Sequence, residues 1–179
     1  MEFSLTEDQI QLVCKSFVDA KGSMFLGRCY SYHIALEGAL KLKEITYKHC
    51  EGYAAGELKH GPLALIEEDI PVIALAPYDE NFSKLLSNIQ EIKAREGKVI
   101  MITDDTSSTM NENIRFKFQI PKTIPTVNSF LLTIPIQLLA YHVALLKNCD
   151  IDKPRNLAKS VTVESVSYTH LTLPTNREV

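Results

Sequence analysis

The sequence predicts an α/β fold of the doubly wound type, in which helices cover both faces of a mostly parallel sheet. Residues 71–76 and 98–103 are almost continuously apolar, as strands covered on both faces are. Helix-length segments alternate with these runs, and that alternation favours a parallel sheet with right-handed crossovers. The chain of 179 residues, 45% of them hydrophobic, can bury a core without a metal or disulfides. We therefore expect one domain, over residues 1–164.

The first part of the chain predicts a helix, a strand and a second helix. Apolar residues recur at helical spacing over residues 4–18, and Thr6 followed by Gln9 has the spacing of a capping box. A short apolar run at 23–27 predicts the first strand. Residues 33–50 predict the helix that follows it.

The second part predicts an amphipathic helix at 81–96, between the two apolar strands. Residues 115–120 alternate polar and apolar side chains, which predicts an edge strand. The stretch from 127 to 146 is strongly apolar, but polar residues and a proline interrupt it. It falls short of the roughly 20 predominantly apolar residues of a membrane span, so we expect a buried helix.

Composition excludes several classes of function. A formal net charge of −3 and a pI near 6.0 argue against a broad nucleic-acid or membrane surface. The four cysteines show neither paired nor zinc-type spacing, which suits reduced thiols in the cytoplasm. The acidic start of the chain does not resemble a signal peptide, and residues 165–179 break the pattern in a way that predicts a non-native tail.

One predicted helix carries a narrow charged strip. Glu37, Lys41, Glu44 and Lys48 follow one another at spacings of three or four residues, which places them on one side of a helix. A solvated ladder of ion pairs is the simplest interpretation. The alternative follows from position: ligands of open α/β sheets bind at the carboxyl ends of strands, and a glutamate with a lysine there could transfer protons beside a carbonyl.

Two further residues could take part in chemistry. His60 lies between Lys59 and a Gly-Pro turn, so we expect it at the surface or an interface, as a general acid or base or as an ordinary surface histidine. Lys159 is either part of a solvated basic tail or an amine nucleophile toward a carbonyl sugar. The segment 104–109 follows a strand, but its two aspartates and lack of glycine exclude a phosphate cradle and predict a polar turn.

At these residues the chain resembles the isomerase part of the glucosamine-6-phosphate synthase family, the glutamine:fructose-6-phosphate aminotransferases. The matching strings, in order, are LGR, ALEGALKLKEI, AAGELKHGPLALI, PIQLLAYHVALLK and PRNLAKSVTVE, between Phe25 and Glu164. The resemblance implies the second of two sugar isomerase (SIS) subdomains, a flavodoxin-like three-layer α/β sandwich with a mostly parallel sheet.

The resemblance also implies roles for the charged strip. Glu44, in KLKE, matches the base that moves a proton between the first two carbons of the sugar imine. Lys41 matches the lysine beside it, and Glu37 lies one turn earlier as support in the substrate-binding region.

Three more positions receive roles from the same resemblance. His60, in ELKHG, matches the histidine that opens the sugar ring, which in this family reaches the active site of the neighbouring subunit of a homodimer. Lys159, in NLAKS, matches the lysine proposed to form a Schiff base with open-chain fructose-6-phosphate. The backbone of Ala158 would then lie close to the sugar.

The implied reaction converts fructose-6-phosphate and glutamine into glucosamine-6-phosphate and glutamate, with no metal or organic cofactor. The ammonia would come from a glutaminase domain that is missing here, as is the first SIS subdomain, so we expect this chain alone to be inactive. Cys29 also departs from the family, which usually has a glycine there. The alternatives are a non-catalytic SIS-type module that binds sugar phosphates, or a dimerisation unit.

Overall fold

A computed structural model of the chain describes residues 7–106, 114–155 and 157, and these residues form a five-stranded parallel sheet with the order β2-β1-β3-β4-β5. The strands are β1 (Gly22–Gly27), β2 (His49–Ala54), β3 (Pro71–Leu75), β4 (Lys98–Thr103) and β5 (Phe116–Gln119). The α-helices are α1 (Glu7–Asp19), α2 (Tyr30–Thr46), α3 (Phe82–Lys93) and α4 (Pro125–Leu146). Two short 3₁₀ helices, η1 (Ala55–His60) and η2 (Pro62–Leu65), lie between β2 and β3.

The sheet separates two hydrophobic cores. Helices α1, α2 and α4 pack on one face, with Phe17, Leu42 and Ile136 in the first core. Helix α3 and both 3₁₀ helices cover the other face, with Leu58 and Ile89 in the second core. Alternate residues of the central strands point into the two cores, which confirms the predicted three-layer sandwich.

The sequence missed strand β2, and the predicted helix 33–50 is wrong at its end. Helix α2 stops at Thr46 because Tyr47 adopts a left-handed conformation (φ 59°, ψ 22°). The next residues enter β2, a partly exposed edge strand that lacks a continuous apolar run. Lys48 therefore does not belong to the helical strip; its ammonium group instead donates a hydrogen bond to the carbonyl of Ala20.

The predicted buried helix is present as α4, but it is buried on one face only. Its inner face packs into the first core, while Phe130 on the outer face is 74% exposed. By length and mean hydropathy (1.7) the helix would also suit a membrane span. Its packing against α1 and α2 explains the apolar residues of the inner face.

The other strands agree with the sequence. β3 and β4 lie at the centre of the sheet, and β5 is an edge strand as predicted. Thr6 and the tail 165–179 lie outside the described residues. The domain boundary at 164 and the non-native origin of that tail stay predictions.

Candidate active site

The charged strip of α2 forms as predicted over its first three members. The Lys41 Nζ atom lies 2.9 Å from Glu44 Oε2 and 3.6 Å from Glu37 Oε1. The side chain of Glu44 is 29% exposed and that of Glu37 is 43% exposed. One ammonium group thus bridges two carboxylates that lie two helical turns apart.

The charge state of Lys41 follows from its contacts. The hydrogen bond to Glu44 is the main cause that raises the pKa of Lys41, against a smaller opposing effect of desolvation. Lys41 is therefore a cation at neutral pH. In this pair Glu44 is the group that can accept a proton, while Lys41 balances its negative charge.

The strip borders an apolar surface rather than open water alone. Ala35, Ala39 and Leu42 on the opposite side of α2 are buried. Leu36 and Leu40, beside the strip, are 39% and 43% exposed. Two partly exposed leucines thus flank the charged strip.

The strip does not lie at the carboxyl ends of the strands, so the positional argument from sequence is wrong. Helix α2 begins directly after β1 and returns toward the amino end of the sheet, because the parallel strand β2 must start there. Glu44 lies 14 residues beyond Tyr30, or about 21 Å along the helix. The carboxyl edge therefore meets the first turn of α2 and not the strip.

His60 ends η1 and is 74% exposed in its side chain, as expected for a surface or interface histidine. Its Nδ1 atom lies 2.7 Å from Glu57 Oε2. Two residues next to His60 hold η1 against the face of the sheet that α3 covers. Leu58 is fully buried, and the Lys59 ammonium lies 3.0 Å from Glu91 Oε1 of α3.

Glu44 and His60 of one chain lie on opposite faces of the sheet and toward opposite ends. Gly52 of β2 packs so closely on α2 that an added Cβ would lie 2.9 Å from the Leu36 Cα. From that point Glu44 is about 12 Å toward the amino end. In the other direction β2 ends at Ala54, about 7 Å away, where η1 begins. Within one chain the two groups therefore lie well apart.

The two predicted site residues near the end of the chain, Ala158 and Lys159, lie outside the described residues. Arg155, four positions before Lys159, contacts the end of α2. Its backbone N–H donates a hydrogen bond to Tyr47 Oη at 2.8 Å, and its guanidinium carbon lies 4.2 Å from the centre of the Tyr47 ring. Tyr47 is three residues beyond Glu44, so this contact brings the chain, as far as Arg155, to the end of α2 that carries the strip.

The contact between Tyr47 and Arg155 and the pairing of Glu57 with His60 were not predicted from the sequence. Tyr47 and Arg155 are 108 residues apart, and no periodic pattern signals such a contact. Glu57 lies three residues before His60, a spacing that could have indicated the pair.

The described residues that follow β4 (104–106) have a structural role. Asp104 is buried and accepts hydrogen bonds from the Tyr78 backbone N–H (2.6 Å) and the Asn128 side-chain amide (3.4 Å). These contacts agree with a polar turn rather than a phosphate cradle, and residues 107–109 lie outside the described part of the chain.

The charged strip is an open helix face. A cavity of about 510 Å³ lies at the amino edge of the sheet, near Lys15, Lys98 and Arg115, and neither Glu44 nor His60 lines it. Within residues 7–106, 114–155 and 157, no three His, Cys, Asp or Glu side chains converge as metal ligands.

Comparisons with known proteins agree on one family. A profile of the SIS domain matches residues 16–147. The glutamine–fructose-6-phosphate aminotransferase (isomerizing) of Bartonella henselae is 52% identical over 159 residues, which cover 88% of this chain and 26% of that protein. The enzyme of the same name from Salmonella typhimurium is 52% identical over 166 residues, which cover 92% of this chain and 27% of that protein. The chain thus spans about a quarter of the length of these curated relatives.

Solved structures show the same relationship. The C-terminal domain of glucosamine-fructose-6-phosphate aminotransferase from Francisella tularensis superposes with a TM-score of 0.73 at 43% identity, over 82% of this chain and 41% of that one. The glucosamine-6-phosphate deaminase of Thermotoga maritima has a TM-score of 0.67 at 24% identity, over 86% of this chain and 45% of that one, which shows a shared fold.

Proposed function

The chain belongs to the SIS domain family, and on that premise we propose that it is the isomerase part of an enzyme that makes glucosamine-6-phosphate and glutamate from fructose-6-phosphate and glutamine. The names of its relatives at about 50% identity support this substrate pair. The observation that carries the proposal is the triplet on α2, where Lys41 lies 2.9 Å from Glu44. It supplies a carboxylate base with a fixed cation beside it.

Glu44 is the base of the isomerisation. An imine at C2 of the sugar acidifies the hydrogens on C1, so a carboxylate can remove one of them without a metal. With the imine nitrogen protonated, a C1 proton moves to Glu44 and the electrons of the broken C–H bond form a neutral enolamine. Glu44 then returns that proton to C2, while the C1 hydroxyl loses its own proton to solvent and becomes the aldehyde. Lys41 stays protonated and stabilises the negative charge near Glu44, with Glu37 on its other side.

Lys159 forms the first imine with the C2 carbonyl of open-chain fructose-6-phosphate, with loss of water. Ammonia then displaces the lysine amine and leaves the nitrogen of the product on C2. The contact between Arg155 and Tyr47 supports this role, because it holds Arg155, four residues before Lys159, at the end of α2 that carries Glu44. Ammonia comes from a glutaminase domain elsewhere in the enzyme.

His60 opens the sugar ring in the site of a neighbouring subunit, so the enzyme works as a homodimer. The separation of Glu44 and His60 across the sheet within one chain supports this arrangement. We place the enzyme in the cytoplasm, with no cofactor and with neither nucleic acid nor membrane as a partner.

A chimera tests the function. This chain replaces the matching quarter of the Bartonella henselae enzyme, and glucosamine-6-phosphate and glutamate are measured together. Glu44→Gln keeps the size of the side chain but removes the base, so sugar formation falls by roughly 10²- to 10⁴-fold while glutamine hydrolysis continues. Glu80→Gln, an exposed carboxylate on a loop, is the matched control.

A non-catalytic sugar-phosphate-binding or dimerisation module is the second candidate. The observation that favours it is the pairing of Glu37, Lys41 and Glu44 with one another, as in an ordinary surface ladder. Near-normal sugar formation by the Glu44→Gln chimera would support this candidate and overturn the role of Glu44.

A further inference from the structure

Glu57 and His60 form a pair at the tip of η1. The His60 Nδ1 atom lies 2.7 Å from Glu57 Oε2. The two residues are three apart in a 3₁₀ helix, where side chains at this spacing lie one above the other. The local fold therefore holds the carboxylate against one particular nitrogen of the ring.

A carboxylate can only accept hydrogen bonds, so a neutral His60 in this pair carries its proton on Nδ1. Its Nε2 atom is then a free base. The imidazole is 74% exposed, so that nitrogen is available to a substrate or to another chain.

Contacts on the second face hold the segment behind this pair. Leu58 is fully buried, and Lys59 is paired with Glu91 of α3 at 3.0 Å. At the start of η1, an added Cβ on Gly56 would lie 3.2 Å from the Arg28 guanidinium, which donates a hydrogen bond to Asn88 of α3 at 2.8 Å. Both ends of η1 are thus held by groups that α3 binds.

We infer that Glu57 is a positioning residue for His60: it fixes the Nδ1–H tautomer and directs Nε2 toward the ring oxygen region of the substrate. This inference rests on the proposed function. In ring opening, the C2 hydroxyl of cyclic fructose-6-phosphate gives its proton to Nε2, and the bond between C2 and the ring oxygen breaks as the C2 carbonyl forms. The ring oxygen then takes the proton from Nε2 and becomes the C5 hydroxyl. Glu57 holds the Nδ1 proton throughout, as the carboxylate of a catalytic triad holds its histidine.

The tautomer can be measured without activity. In the full 179-residue chain labelled with ¹⁵N, NMR at alkaline pH reports which nitrogen of His60 carries the proton. Free neutral imidazole side chains favour the Nε2–H form in water, so a predominant Nδ1–H form would show the effect of Glu57. Glu57→Gln should return His60 toward the Nε2–H form, because the amide can donate to Nδ1, whereas Glu67→Gln, an exposed control, should not. A His60 tautomer that is the same in wild type and Glu57→Gln would overturn the inference.

The kinetic test separates ring opening from isomerisation. In the chimera, Glu57→Gln should slow turnover of fructose-6-phosphate about tenfold. It should have no such effect on 5-deoxyfructose-6-phosphate, which lacks the C5 hydroxyl and cannot close the furanose ring, whereas Glu44→Gln should slow both. Equal slowing of both substrates by Glu57→Gln would overturn the positioning role. If the wild-type chimera made no product from either substrate, the proposed function would fail, and the tautomer measurement would still decide what Glu57 does to His60.

Discussion

Arg155 lies over Tyr47, with its guanidinium carbon 4.2 Å from the ring centre and its backbone N–H bonded to the phenol oxygen at 2.8 Å. This contact joins the end of α2 to a residue 108 positions farther along the chain. Tyr47 follows Glu44 by three residues, and Arg155 precedes Lys159 by four. The contact therefore links the helix that carries the proposed base to the part of the chain that leads to the proposed imine-forming lysine.

Tyr47→Phe should reduce activity more than stability. The change keeps the ring under the guanidinium but removes the hydrogen bond, which contributes about 0.5–1.5 kcal/mol. In the chimera we expect the turnover number to fall about fivefold to tenfold as the attachment at Arg155 weakens, with a small change in Tm. Tyr32→Phe serves as the matched control. An unchanged turnover number for Tyr47→Phe would show that this hydrogen bond does not affect catalysis.

Cys29→Gly should stabilise the chain. Cys29 precedes α2 with φ 50° and ψ −125°, a backbone conformation that glycine adopts far more easily than other residues. Backbone strain of this kind costs on the order of 1–3 kcal/mol. Cys29→Gly would relieve this strain, but the larger conformational entropy of glycine in the unfolded chain would offset part of the gain. Urea unfolding should show a gain of about 1 kcal/mol. Cys29→Ala keeps the strain and should show none; equal effects of the two changes would contradict the strain.

Stability should decrease at alkaline pH, in part through Cys14. Burial raises the pKa of this thiol to about 11 from an ordinary value of 9.0. Above pH 9 the unfolded chain loses the Cys14 proton while the folded chain retains it, so this contribution is complete below pH 9 and is lost as the pH rises toward 11. The free energy of unfolding should therefore fall by up to about 1.4 kcal/mol per pH unit from this group.

Cys14→Ala is the comparison for that measurement. Burial also raises the pKa of Cys50. Cys50 therefore adds its own decrease in the free energy of unfolding at alkaline pH, and this contribution is the same in wild type and in Cys14→Ala. The difference in unfolding free energy between wild type and Cys14→Ala should shrink between about pH 8 and about pH 10.5. A difference that is constant over this range would contradict the assigned shift.

Much of the fold could be predicted because its central strands give strong local signals. β3 and β4 are buried on both faces and are apolar runs. In the predicted helices, apolar residues recur at helical spacing. β2 could not be predicted, since this edge strand is only partly buried and carries polar residues.

For the candidate site, local pairing could be predicted from the sequence, but the position of each group in the fold could not. The spacing of Glu37, Lys41 and Glu44 places them on one strip, and the structure confirms it. The expectation that this strip faces the carboxyl ends of the strands was wrong, because a crossover helix carries its later turns back to the other end of the sheet. The separation of Glu44 from His60 depends on which face of the sheet each segment covers, and local sequence does not record that.

In the proposed homodimer, each active site takes Glu44 from one subunit and His60 from the other. The direct test mixes two inactive chimeras, one with Glu44→Gln and one with His60→Ala, after unfolding and refolding them together. Each heterodimer would then contain one site with both groups intact and one with neither. With equal amounts and random pairing, glucosamine-6-phosphate formation should return to about a quarter of the wild-type rate. No recovered activity in a sample shown to contain heterodimers would place both groups in sites within one chain, or His60 outside the site, and would contradict a site shared between subunits.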